Sequence, residues 1–324
     1  MKIVLIEPLG IEEAELKKLS RGITEGGHEF VSYDSRTEDT KELIQRGKDA
    51  DIIILTNLPF RKEVIEQCTQ LKMISVAFTG VDHVDVAYCD ERQIIVSNAA
   101  GYATNAVAEL AIGLMVGLYR NMLACDLATR DSKTKQGLIG FEMAGKTLGV
   151  VGTGAIGSQV IDIALAFGCQ VIAYSRTKKE ALEQKGVRYV DLETLLKESD
   201  IVTLHLPLNE SSKHLIGAKE IQLMKPTALL INTARGPVVD SQSLASALNN
   251  GQIAGAGIDV FEIEPPINQN HPLLHSKNTI VTPHVAFATK ESLVKRAIIT
   301  FDNVKAFLKG KPINISSSYK GCSL

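Results

Sequence analysis

Arg235, Glu264 and His284 each follow an apolar run and stand among turn-forming neighbours. Their segments are Asn232-Thr233-Ala234-Arg235-Gly236-Pro237, Asp259-Val260-Phe261-Glu262-Ile263-Glu264-Pro265 and Thr282-Pro283-His284-Val285-Ala286. Together the three side chains meet the needs of 2-oxo acid reduction. A guanidinium is a planar fork that can grip a carboxylate and a carbonyl oxygen at once. An imidazole can donate the proton in reduction and take it back in oxidation. A carboxylate beside that imidazole favours its protonated form and fixes the ring's orientation. Singly, a histidine after proline is more often a turn residue and an Arg–Glu pair more often structural, so the combination carries the inference.

The hydride source for such chemistry is signalled upstream. Val150-Val151-Gly152-Thr153-Gly154-Ala155-Ile156-Gly157 is a G-x-G-x-x-G segment with an apolar strand pattern before it and a helical pattern after it. The first glycine permits a tight turn, the second lets the backbone approach a pyrophosphate, and the third allows close helix–strand packing. The N–H groups of the helix start, at Ala155 and Ile156, then face the phosphates. After the next strand pattern an NAD site carries Asp or Glu for the ribose 2′-hydroxyl. Here the chain has Ser175 and Arg176, followed by Lys178 and Lys179. Ser175 with Arg176 would welcome a 2′-phosphate through charge-assisted hydrogen bonds, which favours NADP(H) and leaves NAD(H) open. The two lysines fit a solvated helix start equally well.

These residues need elements to hold them, and the chain supplies two alternating series. Strand patterns at Ile3–Glu7, Glu29–Tyr33, Ile52–Thr56, Met73–Ala77 and Ile94–Ser97 alternate with helical ones such as Glu12–Leu19 and Arg61–Cys68. A second series runs through Thr147–Val151, Gln170–Tyr174, Ile201–Leu204, Ala228–Asn232, Gly255–Val260 and Thr279–Thr282. The alternation predicts an α/β fold with two doubly wound parallel sheets. One long helical pattern, Asn105–Thr129, joins the series; a last helix over about Lys290–Lys309 precedes a polar tail, Ser316–Leu324, expected to be loosely ordered.

The 324 residues suffice for two domains, and 35 basic against 37 acidic residues give no electrostatic reason to expect nucleic acid or an anionic membrane as partner. Five scattered cysteines without a C-x-x-C pair argue against a disulfide framework or a zinc site, and no metal is expected. Without a secretory leader or an apolar stretch of about 20 residues, the cytoplasm is the expected compartment.

On these motifs the chain resembles the D-isomer-specific 2-hydroxyacid dehydrogenases, such as the glyoxylate/hydroxypyruvate reductases, strongly from about Met73 to Pro312. Arg235 matches the family's N-x-A-R-G, Glu264 its D-V-F-x-x-E-P and His284 its P-H-x-A. The resemblance implies that these three are catalytic, with Arg235 and His284 touching substrate. It implies that Phe78, Thr79 and Gly80 help hold the substrate carboxylate, with Thr79 also toward the nicotinamide. Leu206, in an H-x-P-L segment, would lie by the adenosine half of the cofactor and Asp259 on the nicotinamide carboxamide, with Thr233 and Ala234 also binding the cofactor. It further implies a Rossmann cofactor domain, 101–287, inserted in a flavodoxin-like substrate domain, 1–100 plus 288–324. The substrate, a small 2-oxo or 2-hydroxy acid, would lie in the cleft between them. Asn105–Leu110 matches a helix start tied to homodimer formation. Ser175 departs from the family's usual acidic residue.

Two other functions fit parts of the same pattern. A phosphite-type oxidoreductase of this fold keeps Arg, Glu and His. A NAD(H)-sensing, corepressor-like interaction protein keeps the fold, although this chain lacks long disordered flanks. Leu58 and Phe60, past the third strand pattern, are either side-chain pocket residues that disfavour a phosphorylated substrate or simply core.

Overall fold

Parallel strands buried on both faces read as near-continuous apolar runs, and the strand sequences IIIL, IVTL and LLIN, with only Thr203 and Asn232 polar, fit that pattern. In the computed structural model, which describes residues 1–318, the chain forms two compact units. One contains Met1–Ala103 and the residues from Ala288 onward; the other is Thr104–Phe287.

The first unit holds five parallel strands, β1 (Lys2–Leu5), β2 (Glu29–Ser32), β3 (Ile52–Leu55), β4 (Met73–Val76) and β5 (Ile95–Ser97), in the order β2-β1-β3-β4-β5. Four of the five expected strands run one or two residues past the hydrogen-bonded ladders, because extended chain continues into the loop after pairing stops, and the fifth begins one residue early, at Ile94. The helix Lys290–Leu308 packs on this sheet, with Phe301 fully buried and its ring 5.7 Å from that of Phe30. Burial of such a side chain stabilises by roughly 1.5–3 kcal/mol. Leu58 and Phe60 are fully buried, so their apolar character serves the core and says nothing about a substrate's charge.

The polar tail is tied down at its start, against expectation. Ser316 donates its amide to the Val96 carbonyl at 2.8 Å, and the buried Ser317 hydroxyl accepts from the Val96 amide at 3.1 Å. The expectation for 319–324 lies outside the described residues.

The second unit holds seven parallel strands, β6 (Thr147–Val151), β7 (Gln170–Tyr174), β8 (Arg188–Tyr189), β9 (Ile201–Leu204), β10 (Leu229–Asn232), β11 (Gly255–Ile258) and β12 (Thr279–Val281). Their order is β12-β11-β10-β9-β6-β7-β8. The order reverses between β6 and β9, the place where open parallel sheets bind ligands beyond their carboxyl ends. Helices cover both faces. Helix Thr104–Tyr119 packs with Ala155–Ala166 on one, and helices such as Ser241–Asn249 lie on the other. The two-residue edge strand β8 escapes sequence detection because it is too short to show a period.

The single helix expected over Asn105–Thr129 is two helices, Thr104–Tyr119 and Met122–Arg130, bent by 57°. Asn121 sits between them at φ 50°, in the left-handed conformation that Asn, after Gly, adopts most readily at helix ends. That Asn was the available signal. In the Asn105–Leu110 start, Ala106, Val107 and Ala108 are buried while Asn105 and Glu109 are exposed, whereas Met122–Arg130 buries none of its residues. Among the described residues no single helix is long and apolar enough to cross a membrane.

Candidate active site

Arg235, Asp259 and His284 follow three adjacent strands, β10, β11 and β12, so parallel pairing brings their loops to one end of the sheet. Asn232, buried at the end of β10, shapes the Arg235 turn. Its side-chain amide donates to the Arg235 carbonyl at 2.9 Å, and its side-chain oxygen accepts from the Ala234 amide at 3.0 Å. Gly236 then lies so close to the β11 loop that an added Cβ would stand 2.0 Å from the Phe261 carbonyl carbon.

The structure joins two of the three expected residues directly. His284 donates from Nδ1 to both Glu264 oxygens, at 2.8 and 2.9 Å. The ring lies edge-on to Phe287 with centroids 5.5 Å apart. His284 has φ 56°, a backbone state that disfavours side-chain-bearing residues. Asp259 holds it there. Its carbonyl accepts from the His284 amide at 2.7 Å, and its carboxylate accepts from the Val285 and Ala286 amides at 2.9 Å and from the Thr282 hydroxyl at 2.5 Å. Burial pushes the Asp259 carboxyl above its usual range against these bonds. The Asp259 side chain is fully buried with three donors, and the work it shows is bracing the His284 loop.

The glycine segment forms a turn after β6. Gly152 has φ 94°, and a Cβ there would lie 2.4 Å from the His205 carbonyl oxygen; one on Gly157 would lie 2.0 Å from the Gly152 oxygen. By contrast a Cβ on Gly154 would meet nothing within 4 Å. This is a backbone wall beside open space, at the start of helix Ala155–Ala166, where Ala155 is exposed and Ile156 half-buried. The space is a cavity of about 500 Å³ lined by Gly152, Gly154, Ser175, Arg176, Leu206 and their neighbours. His205, under the turn, is pushed down to about 3 by burial and stays neutral.

None of the described lining residues is acidic, and two are basic, Arg176 and Lys179. Lys179 is not merely a solvated helix-start residue but reaches the glycine turn, donating to the Ser158 hydroxyl at 2.9 Å and the Gly154 carbonyl at 3.4 Å. The Tyr189 hydroxyl, on the undetected β8, accepts from the Lys179 amide and donates to Thr153. Lys178 lies in a neighbouring depression with Arg188. Thr233 is buried with its hydroxyl oxygen unpartnered and Ala234 is half-buried beside it. An unmet polar atom, an open glycine wall and a basic rim fit a phosphate-bearing dinucleotide. Among the described residues no cluster of His, Cys, Asp or Glu is placed to hold a metal ion.

In the first unit, the segment after β4 carries the remaining expected residues. Phe78 is buried with its ring 6.0 Å from that of Tyr102, whereas Thr79 is exposed and Gly80 half-buried. Asn98 donates to the Thr79 carbonyl at 2.8 Å and pins the loop.

The family model of the D-isomer-specific 2-hydroxyacid dehydrogenase NAD-binding domain matches residues 112–286. The chain belongs to the D-isomer-specific 2-hydroxyacid dehydrogenase family. It is an NAD(P)-dependent 2-hydroxyacid dehydrogenase, or 2-oxoacid reductase. The dehydrogenase is 41% identical over 279 residues to the glyoxylate reductase of Thermococcus litoralis, covering 83% of this chain and 84% of that one. It is 35% identical to the hydroxypyruvate reductase of Blautia hydrogenotrophica, over 97% and 99% of the two chains. Among solved structures, an acyclic imino acid reductase in complex with NADPH and D-Arg superposes on it with a TM-score of 0.88. That pair is 33% identical, over 97% of this dehydrogenase and 99% of the other chain.

Proposed function

We propose that this dehydrogenase reduces a small 2-oxo acid of the glyoxylate/hydroxypyruvate class to the D-2-hydroxy acid, reversibly and with NADPH preferred over NADH. The observation that carries the catalytic part is the His284–Glu264 pair, at 2.8 and 2.9 Å, which joins the loops after β12 and β11, beside the β10 loop bearing Arg235. Arg235 binds the substrate carboxylate through its fork. Glu264 holds Nδ1 of His284, so the ring passes its proton from Nε2 to the carbonyl oxygen in reduction and takes it back there in oxidation. Phe78, Thr79 and Gly80 contribute to substrate binding, with Thr79 also toward the cofactor.

Bound in the cavity, the dinucleotide supplies the hydride. Gly152, Gly154, Ala155, Ile156 and Gly157 receive its phosphates, Leu206 its adenosine half, and Thr233 and Ala234 its nicotinamide half. Ser175 and Arg176 take the 2′-phosphate, and the absence of acidic residues among the described lining supports that preference.

Four described cysteines are unpaired, and burial pushes the Cys68 and Cys89 thiols up to about 11 and 12. Inert free thiols agree with a reducing compartment, which we take to be the cytoplasm. The dehydrogenase acts as a homodimer through the apolar surface of Met122, Leu123 and Leu127 with Ile139 and Phe141, 55–86% exposed. Such a patch is the mark of an interaction site.

The test is nicotinamide absorbance with NADPH, and separately NADH, against acids from glyoxylate and hydroxypyruvate to phenylpyruvate. Faster turnover of the two smallest acids with NADPH is the expected result. No turnover of any acid, with cofactor bound, would move phosphite oxidation to the front. An NADH preference would overturn the roles given to Ser175 and Arg176.

A further inference from the structure

A second histidine–carboxylate pair lies on the same loop as Glu264. His271 Nε2 is 2.9 Å from Glu262 Oε2. We propose that Glu262 and His271 form a clasp that holds Glu264 against His284, making both of them positioning residues for the reaction. This rests on the roles given above to His284 and Glu264.

The loop after β11 needs such a device. From Phe261 to Asn270 it has no helix or strand, and the Glu264 side chain is half exposed. A carboxylate on an unanchored loop of this length would sample many positions, at an entropic cost to any fixed contact. His271 closes the loop where it meets the 3₁₀ turn Pro272–His275. Its Nδ1 accepts from the Leu273 amide at 3.4 Å, so the ring proton sits on Nε2 and is donated to Glu262. The bond therefore needs no charged imidazole. The same ring stands edge-on to Phe261, with centroids 5.1 Å apart at 86°.

Glu262 is fixed from other directions as well. Burial opposes its ionised form, but hydrogen bonds from Ser241 and His271 outweigh this and hold the carboxyl below its usual range. The Phe261–Glu262 peptide is also pressed by Gly236, whose added Cβ would lie 2.6 Å from the Glu262 nitrogen. Thus the turn carrying Arg235 presses the Phe261–Glu262 peptide while the ring of His271 holds the two side chains, two residues before Glu264. Without His271, that peptide keeps its contact with the Arg235 turn while the distal end of the loop is released.

The experiment is proton NMR of the cofactor-free enzyme together with steady-state kinetics. A His284 Nδ1–H donated to Glu264 gives a far-downfield resonance, identified by its loss in both Glu264→Gln and His284→Ala. In His271→Ala this resonance is expected to broaden or vanish. There kcat should fall about ten- to a hundredfold, the scale of a misplaced catalytic group, while the dissociation constant of NADPH stays unchanged. In His271→Gln the side-chain amide donates to Glu262 again, and both signals should return. If His271→Ala does not fold, Glu262→Ala serves as the second variant, with the same loss expected. Retention of the resonance with normal kcat overturns the clasp. So does a fall in kcat with the resonance intact, since that marks a role not exerted through Glu264. A resonance that survives neither His284→Ala nor His271→Ala but persists in Glu264→Gln overturns the His284–Glu264 pairing itself, and the clasp with it.

Discussion

The left-handed backbone of His284 costs a non-glycine residue roughly 1–2 kcal/mol, and three bonds to the Asp259 carboxylate in and around the same turn offset it. A ring aimed by its backbone and held at Nδ1 by Glu264 is pre-organised for proton transfer, which is where enzymes gain most from a fixed geometry. His284→Ala is expected to lower kcat by about 10²–10⁴-fold with NADPH still bound, as read by fluorescence titration. Turnover like that of the unmodified enzyme would remove His284 from its role. Arg235→Lys should instead chiefly depress kcat/KM for the acid, because an ammonium cannot reproduce the two-pronged grip. An unchanged kcat/KM would remove Arg235 from the carboxylate.

At the scale of elements, both sheets are tied at their amino ends by an aspartate just before a central strand. Asp51 accepts from the Lys2 amide at 2.8 Å and from Lys72, and Asp200 accepts from the Thr147 amide at 2.9 Å and from Lys225. Burial alone would raise both carboxyls, but these donors outweigh it and lower them from the ordinary 3.8. The unfolded chain therefore binds the proton more readily than the native one at these sites. The stability they contribute is fully present above about pH 3.8 and is lost as pH falls through the lowered folded values. Asp200→Asn should cost about 1–2 kcal/mol at pH 7 and much less near pH 2, measured by urea unfolding at both. An equal cost at the two pH values would show that the ion is not what matters.

At the scale of the whole molecule, the exposed side chains that call for a partner gather on and near Met122–Arg130. Met122, Leu123 and Leu127 are 55, 58 and 64% exposed on a helix with no buried residue. Replacing Leu123 and Leu127 together by Asp should leave the fold intact and convert the proposed dimer to a monomer in sedimentation velocity, because two buried carboxylates would each remain unpaired at such an interface. A dimer undisturbed by the pair of substitutions would place the interface elsewhere. The helix start at Asn105–Leu110, singled out by resemblance, buries its apolar Ala106, Val107 and Ala108 and exposes the polar Asn105 and Glu109, so it offers less apolar surface.

The amino-acid sequence by itself determined the two series of strands, the glycine turn and the three segments bearing Arg235, Glu264 and His284. Each is a local pattern: apolar runs, glycines at fixed offsets and turn residues after strand ends state their own conformation. What depends on distant partners was decided only by tertiary structure. Leu58 and Phe60 look the same in sequence whether they line a pocket or fill a core, and only burial shows that they fill the core. Lys179 looked like a solvated lysine until the β6–β7 pairing brought it to Ser158 and Gly154. That Asp259 braces the His284 turn shows only once the neighbouring β12 loop brings its donors to the carboxylate. The Glu262–His271 pair had no signal at all in the sequence, because a side-chain contact across a loop leaves no period behind; the path of the folded loop creates it.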